Sequence, residues 1–447
     1  MIGISFVRIL FLSFVFLFLA FWPGDGKGAV APVGQLPAVT ISVPTSIYAL
    51  PILLVESLEE WKDFGIQIKL KVYASGDEQL DRVVGNDWEV GVMGPLYAVK
   101  GGNEGNVVIV GVAGNFTSQV QLILGRGASP PTAANLGEWL KGKKILCPVP
   151  SEEHYLISEF RKRQGDSWNA AVVPVKKEKV SEAITLPGRE NLLVARFPQA
   201  YSLIHQGFQP GPELKRKRVF LPAFLVASAA YADTRKTLVL RWLEGYSRGI
   251  RIIQKNPAMA ASRLKMFYRD ILQVEVSEQT LQREMGEAFY FDEREREEPF
   301  RGGEGKPSAI EELASSMTLY LQGLKSLESK GTPSEYILPK LCDQLSALRK
   351  EAMAQLEKAK ATIEEAGLAG GRVEGFQKIW EDARMQIHDG RGWLTVIGVL
   401  SSLQRSADHA RVTRGRMRDF RRIEMAIGAI LLLYYIGYAI RRKKRKV

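Results

Sequence analysis

Four strand-length apolar runs lie between residues 38 and 114, with helix-length segments between them. The first, AVTISV (38–43), passes through Pro44-Thr45-Ser46 into a helix expected from about Tyr48 to Phe64, which Gly65 ends. GIQIKLKVYA (65–74) alternates its faces and turns at Ser75-Gly76 into the short helix DEQLDRVV. WEVGVMG (88–94) stops at Gly94-Pro95 before a helix from Leu96, and NVVIVGVAG (106–114) is the fourth run. The order β-α-β-α-β-α-β predicts a mostly parallel sheet with helices on both faces. Such sheets bind ligands beyond the carboxyl ends of their strands, where these three small-residue loops fall.

A second α/β unit is expected from about residue 128 to 218. SQVQLILGRG (118–127) is a strand, and Asn135 can cap a short helix over LGEWLKG. In KKILCPVPSEEHYLI (143–157) a buried strand, Lys144–Cys147, meets a turn on Pro148 and Pro150. A helix then opens at Ser151, with Glu152 and Glu153 in its first turn. A helix start beyond a strand end has unpaired N–H groups and accepts an anion readily. Residues 171–175 read as a strand, 180–185 as a short helix, and NLLVARFPQAYSLI (191–204) as a strand running into a helix at Pro198. RVFLPAFLVASAAY (218–231) reads as the return strand. Helices are expected over 234–254, opened by Asp233, and over 257–268, 277–289 and 309–327.

The chain has 447 residues, too many for one ordinary core. Its net charge of +12 gathers at the end, where Arg411 to Val447 holds six Lys/Arg on each side of an apolar run. That arrangement points to a membrane surface and not to nucleic acid. Two cysteines, Cys147 and Cys342, form no metal spacing and no disulfide framework. The four histidines lack metal-ligand spacing, and no Ser/His/Asp order, GxSxG or P-loop is present. The chain is read as a non-enzyme with no cofactor and no metal.

Residues 1–31 are expected to be a signal peptide or signal anchor: Arg8 precedes an uncharged run from Ile9 to Trp22, shorter than a bilayer span. Ile423 to Ile440 is long enough to span, with Tyr434, Tyr435 and Tyr438 toward its basic end. Residues 441–447 then form a basic cytoplasmic tail, and the body lies outside, in the periplasm or beyond the cell membrane of a bacterium. Between them, 341–422 is expected to be a helical stalk or bundle, with Leu341, Leu345, Leu348, Met353 and Leu356 near heptad spacing. An oligomer could form through it.

At the level of residues the chain resembles the nitrate/sulfonate/taurine group of ABC-transporter solute-binding proteins. The resemblance rests on the opening strand and loop (39–48), YASG (73–76), WEVGVMGP (88–95), GKKILCPVPSEEHYLI (142–157) and ARFPQAY (195–201), in that order. It implies a two-lobed type II periplasmic binding protein fold over 38–340, with lobe one at 38–127 and 219–340 and lobe two at 128–218. Glu89 and Phe197 depart from the group's pattern, where Asp and Trp are usual. The resemblance implies a cleft for a small-molecule solute, an anion such as a sulfonate or nitrate among the candidates, delivered to an ABC permease. The alternative is a sensing module that signals through the stalk and membrane helix to a partner. The ligand-facing positions it implies are Thr45, Ser46, Tyr48, Ser75, Gly76 and Gly94 from lobe one. Lobe two would supply Ser151, His154, Tyr155, Arg196 and Phe197. Glu152 and Glu153 would repel an anion and are expected to point away.

Overall fold

The computed structural model describes residues 36–128, 139–164, 170–176, 191–213, 221–288, 290–291, 298–303, 306–328, 331–368, 374–389 and 392–412. The signal segment 1–31, the apolar run 423–440 and the tail 441–447 lie outside them, as do the short helices expected near Asn135 and at 180–185. Among the described residues no helix is long and apolar enough to cross a membrane.

The first sheet holds β1 (Ala38–Pro44), β2 (Gln67–Tyr73), β3 (Val90–Met93), β4 (Val107–Asn115) and, far later in the chain, β10 (Pro222–Ser228), in the order β2-β1-β3-β10-β4. β1 runs parallel to β2 and β3, while β10 is antiparallel to β3 and β4. Every residue of β10 is buried, which its uncharged sequence PAFLVAS allows. Helix α1 (Leu50–Ser57) is almost wholly apolar, and six of its residues are buried. The connection expected as one helix from Tyr48 to Phe64 is in fact two 3-10 turns flanking α1, with Glu59 and Gly65 at positive φ.

Two further helices of this unit, α2 (Gly76–Val84) and α3 (Pro95–Asn103), start directly after β2 and β3. The chain crosses to a second sheet between Asn115 and Val120. That sheet holds β5 (Val120–Leu124), β6 (Lys144–Pro148), β7 (Ala171–Val175), β8 (Asn191–Arg196) and β9 (Gln209–Glu213), ordered β7-β6-β8-β5-β9. β5 therefore lies in the second sheet, and not in the first lobe as the expected boundary at 127 would have it. Its five residues are all buried and pair antiparallel to β8. β9, QPGPE, is hidden in the sequence because two prolines and a glycine mask an edge strand. Helices α4 (Glu152–Gln164) and α5 (Gln199–His205) pack on this sheet.

After β10 come α6 (Ala229–Thr234), α7 (Lys236–Lys255), α8 (Pro257–Leu272), α9 (Glu278–Glu287), α10 (Ala309–Gly323) and the single turn α11 (Pro333–Tyr336). Asp233 does not cap α7. It ends inside α6, and Arg235 takes the cap position without a side-chain bond. Ser277 does cap α9, and Ser308 caps α10 in a reciprocal capping box with Glu311. α7 packs on α1 at Gly249, where a Cβ would stand 2.2 Å from the Pro51 carbonyl oxygen.

The C-terminal helices are α12 (Pro339–Leu368), α13 (Glu374–Asp389) and α14 (Trp393–Val412). They pack on one another as a three-helix bundle. The buried seam of α12 runs through Leu341, Leu345, Ala352, Leu356, Ala359 and Ile363; Met353 is exposed instead, one residue off the seam. The bundle joins the core of the first sheet. Leu338 donates its N–H to the Ile109 carbonyl of β4 at 2.9 Å, and the Trp393 N–H donates to the Glu244 carboxylate of α7. The Trp393 ring, 1% exposed, sits under the Arg251 guanidinium.

Candidate functional site

The carboxyl ends of β1, β2 and β3 open on three loops, and all three line one small cavity. Its wall holds Thr45 and Ser46, then Ser75 and Gly76, then Gly94, with Tyr48 behind them. Each loop turns at once into a helix or 3-10 turn. Ser75 caps α2, accepting from the Glu78 N–H at 3.3 Å, and Gly94 precedes Pro95 at the start of α3. Ser46 is different: its hydroxyl is buried and has no hydrogen-bond partner among the described residues. A buried hydroxyl left in that state is costly. Tyr48 is committed to the core. It is 1% exposed, its hydroxyl donates to the Asn115 carbonyl, and its ring meets Tyr290 edge-on at 6.0 Å.

The other wall belongs to the second sheet. Glu152 and Arg196 close the same cavity from across the cleft. Glu152 does not point away. Its carboxylate reaches to Gly94, where a Cβ would stand 2.1 Å from Oε1, so any side chain at 94 would push it out. Glu153 faces the cleft too. Arg196, at the end of β8, lies 3.9 Å from Glu152 and 3.7 Å from Glu153. Facing the carboxylates inward is possible because this guanidinium offsets part of their charge, and because their helix start favours negative charge. The cavity they leave at the loops measures about 20 Å³. That is room for about one water, and too little for a sulfonate.

A larger space adjoins it, of about 260 Å³, sharing Glu152 and Arg196 as walls. Tyr97 bounds it from α3, and Ser151, Glu153, Gln199, Ser202 and Gln206 bound it from the second lobe. Tyr97 donates to the Asp77 carboxylate at 3.1 Å. Burial, with Glu152 and Asp77 nearby, holds the Tyr97 phenol well above its usual range.

The remaining expected residues serve other contacts. Ser151 donates its hydroxyl to the Pro148 carbonyl at 2.7 Å and accepts from the His154 N–H at 3.0 Å, so the side chain works as a helix cap. His154 and Tyr155 turn to α10: the His154 ring meets the Tyr320 hydroxyl, and Tyr155 donates to Ser316 at 3.0 Å. Burial lowers the His154 pKa from its usual value. Phe197 stacks on Tyr201 at 4.4 Å and packs against the second lobe's own apolar cluster. Sequence reasoning missed Tyr97, Gln199, Ser202 and Gln206 as wall residues. Gln199, Ser202 and Gln206 recur at helical spacing from Pro198, a polar stripe on a short helix that is legible in sequence only as a solvated face.

A third contact between the lobes is buried. Tyr201 of α5 donates to Glu284 of α9 at 2.8 Å, and Tyr268 of α8 donates to the same carboxylate at 3.1 Å. Burial raises the Glu284 pKa from 4.5 to about 7 against the lowering effect of these hydrogen bonds. Among the described residues no group of His, Cys, Asp and Glu could hold a metal ion.

No protein-family model matches this chain, and no curated protein matches it by sequence. Solved structures do. The alkanesulfonate-binding protein SsuA of Xanthomonas axonopodis pv. citri, bound to MOPS, is similar at 12% identity and TM-score 0.52, over 68% of this chain and 99% of that one. The periplasmic aliphatic sulphonate binding protein SsuA of Escherichia coli is similar at 13% and 0.53, over 69% and 99%. The periplasmic nitrate-binding protein NrtA of Synechocystis is similar at 12% and 0.52, over 70% and 89%. The protein thus has the two-lobed fold of the nitrate- and sulfonate-type periplasmic binding proteins.

Proposed function

We propose that this protein is an extracytoplasmic solute-binding protein that takes a small solute between its lobes and presents it to the permease of an ABC importer. The observation that carries the reading is the cleft itself: three strand-end loops of the first lobe, Ser46 among them, face Glu152 and Arg196 of the second. The likeness to sulfonate- and nitrate-binding proteins over nearly their whole length supports the same reading. Binding, not turnover, is the activity this supports. Closure of two lobes converts occupancy into a shape that a permease can read. The apolar run 423–440 with its basic flanks would hold the protein at the membrane, with the binding lobes outside the cytoplasm.

The test is a thermal-shift screen of the full-length protein in detergent against sulfonates, nitrate, carboxylates and amines. A true solute at about 100 times its Kd adds about 2.7 kcal/mol to stability and raises Tm accordingly. If no solute of any charge raises Tm, while a partner protein binds tightly without one, the importer reading fails.

A further inference from the structure

The charges of the cleft differ from what an anion site requires, and they point to a particular class of solute. Glu152 and Glu153 line the larger cavity, Asp77 stands behind its Tyr97 wall, and among the described lining residues Arg196 is the cation set against them. The Glu152 side chain is 1% exposed and that of Glu153 10%, so water screens neither well. The start of α4, which would otherwise favour an anionic guest, already carries these two carboxylates in its first turn. An incoming anion would therefore meet a helix end and a guanidinium that are both occupied, and an excess of like charge.

A cation meets the reverse. The cavity of about 260 Å³ exceeds the roughly 150 Å³ that accommodates benzene. Its wall offers the Glu153 carboxylate, the amides of Gln199 and Gln206, and the Ser202 hydroxyl as acceptors for ammonium N–H groups. The Tyr97 ring, on the opposite lobe, adds an aromatic surface of the kind that attracts cations. The orphaned Ser46 hydroxyl lies in the adjoining space across Glu152 and Arg196, where it can accept from a group extending past them. Resting on the solute-binding reading above, we propose that the cleft selects a small solute bearing an ammonium or guanidinium group, with Glu153 as its charge partner.

The experiment is titration calorimetry on the full-length protein in detergent. One arm uses ethanolamine, putrescine, choline and arginine; the other uses methanesulfonate, taurine and nitrate. At least one ammonium or guanidinium probe should bind, with at least 100-fold preference over methanesulfonate and nitrate. Glu153→Gln should weaken that probe at least 10-fold. Gln199→Glu, which adds a carboxylate to the wall, should tighten it. If methanesulfonate or nitrate binds and the cationic probes do not, the charge class is overturned and the solute-binding role stands. The charge class is overturned equally if Glu153→Gln and Gln199→Glu both leave cation binding unchanged. If neither arm binds, the charge class is overturned, and the solute-binding role stands or falls on the thermal-shift screen above.

Discussion

The two walls of the cleft are built from opposite materials. The first lobe presents small, neutral residues on three loops, and their value is how closely another group can approach. The second lobe presents a guanidinium and two carboxylates on a strand end and a helix start. One wall supplies room and the other supplies charge. Loops at the ends of parallel strands are short and conformationally fixed, which suits them to setting shape. A helix start with a neighbouring strand end can hold ionised groups partly out of water, because its own N–H groups and a facing cation offset them.

The largest way to break this contrast is to remove the cation. Arg196→Met should destabilise the protein by about 4 kcal/mol, because Glu152 and Glu153 would remain in a buried wall without it. Adding Glu152→Gln to that variant should restore much of the loss, as urea unfolding would show. If the single variant costs under about 1 kcal/mol, the charged wall is better solvated than its burial indicates.

Glu284 extends the contrast to a carboxylate of the first lobe, bonded by Tyr201 of the second. Its folded pKa of about 7 lies above its ordinary 4.5, so the folded state holds the proton in that interval. Its contribution is full below pH 4.5 and is lost as pH rises through 7. The span amounts to at most about 3 kcal/mol. Glu284→Gln should flatten the stability profile between those values. An unchanged profile would mean that another group governs it.

Two smaller effects test the neutral wall. Gly94→Ala places a Cβ against the Glu152 carboxylate and should cost about 2 kcal/mol. It should also open the lobes, read as a larger radius of gyration in small-angle scattering. Ser46→Ala removes an orphaned hydroxyl and should leave the unliganded protein unchanged or stabilise it by up to about 1 kcal/mol. Loss of the Tm response to solute in the same variant would sharpen the assignment of that loop to binding.

Much of the first sheet is legible in sequence because its strands are apolar runs or, in β2, a clean alternation, each followed by small residues, and periodicity reads both directly. The three loops can be placed together for the same reason. The partner of each second-lobe side chain cannot, since that depends on contacts far along the chain. His154 and Tyr155 sit at a helix start that looks ligand-facing, yet Ser316 and Tyr320, more than 160 residues later, claim them. Glu152 and Glu153 are expected from sequence to avoid the cleft, because repulsion can be argued there while the facing Arg196 cannot be placed. Prolines hide β9. Ala352 takes the place expected for Met353 because a one-residue offset on a long helix changes which side chain faces the bundle.

The helix Pro339–Leu368, 30 residues long and so about 45 Å, shares its contacts with β4 and α7 of the first lobe. The bundle adds mass and contact to that lobe, whereas the second lobe, entered after Asn115 and left after Glu213, is tethered to it by those two crossings.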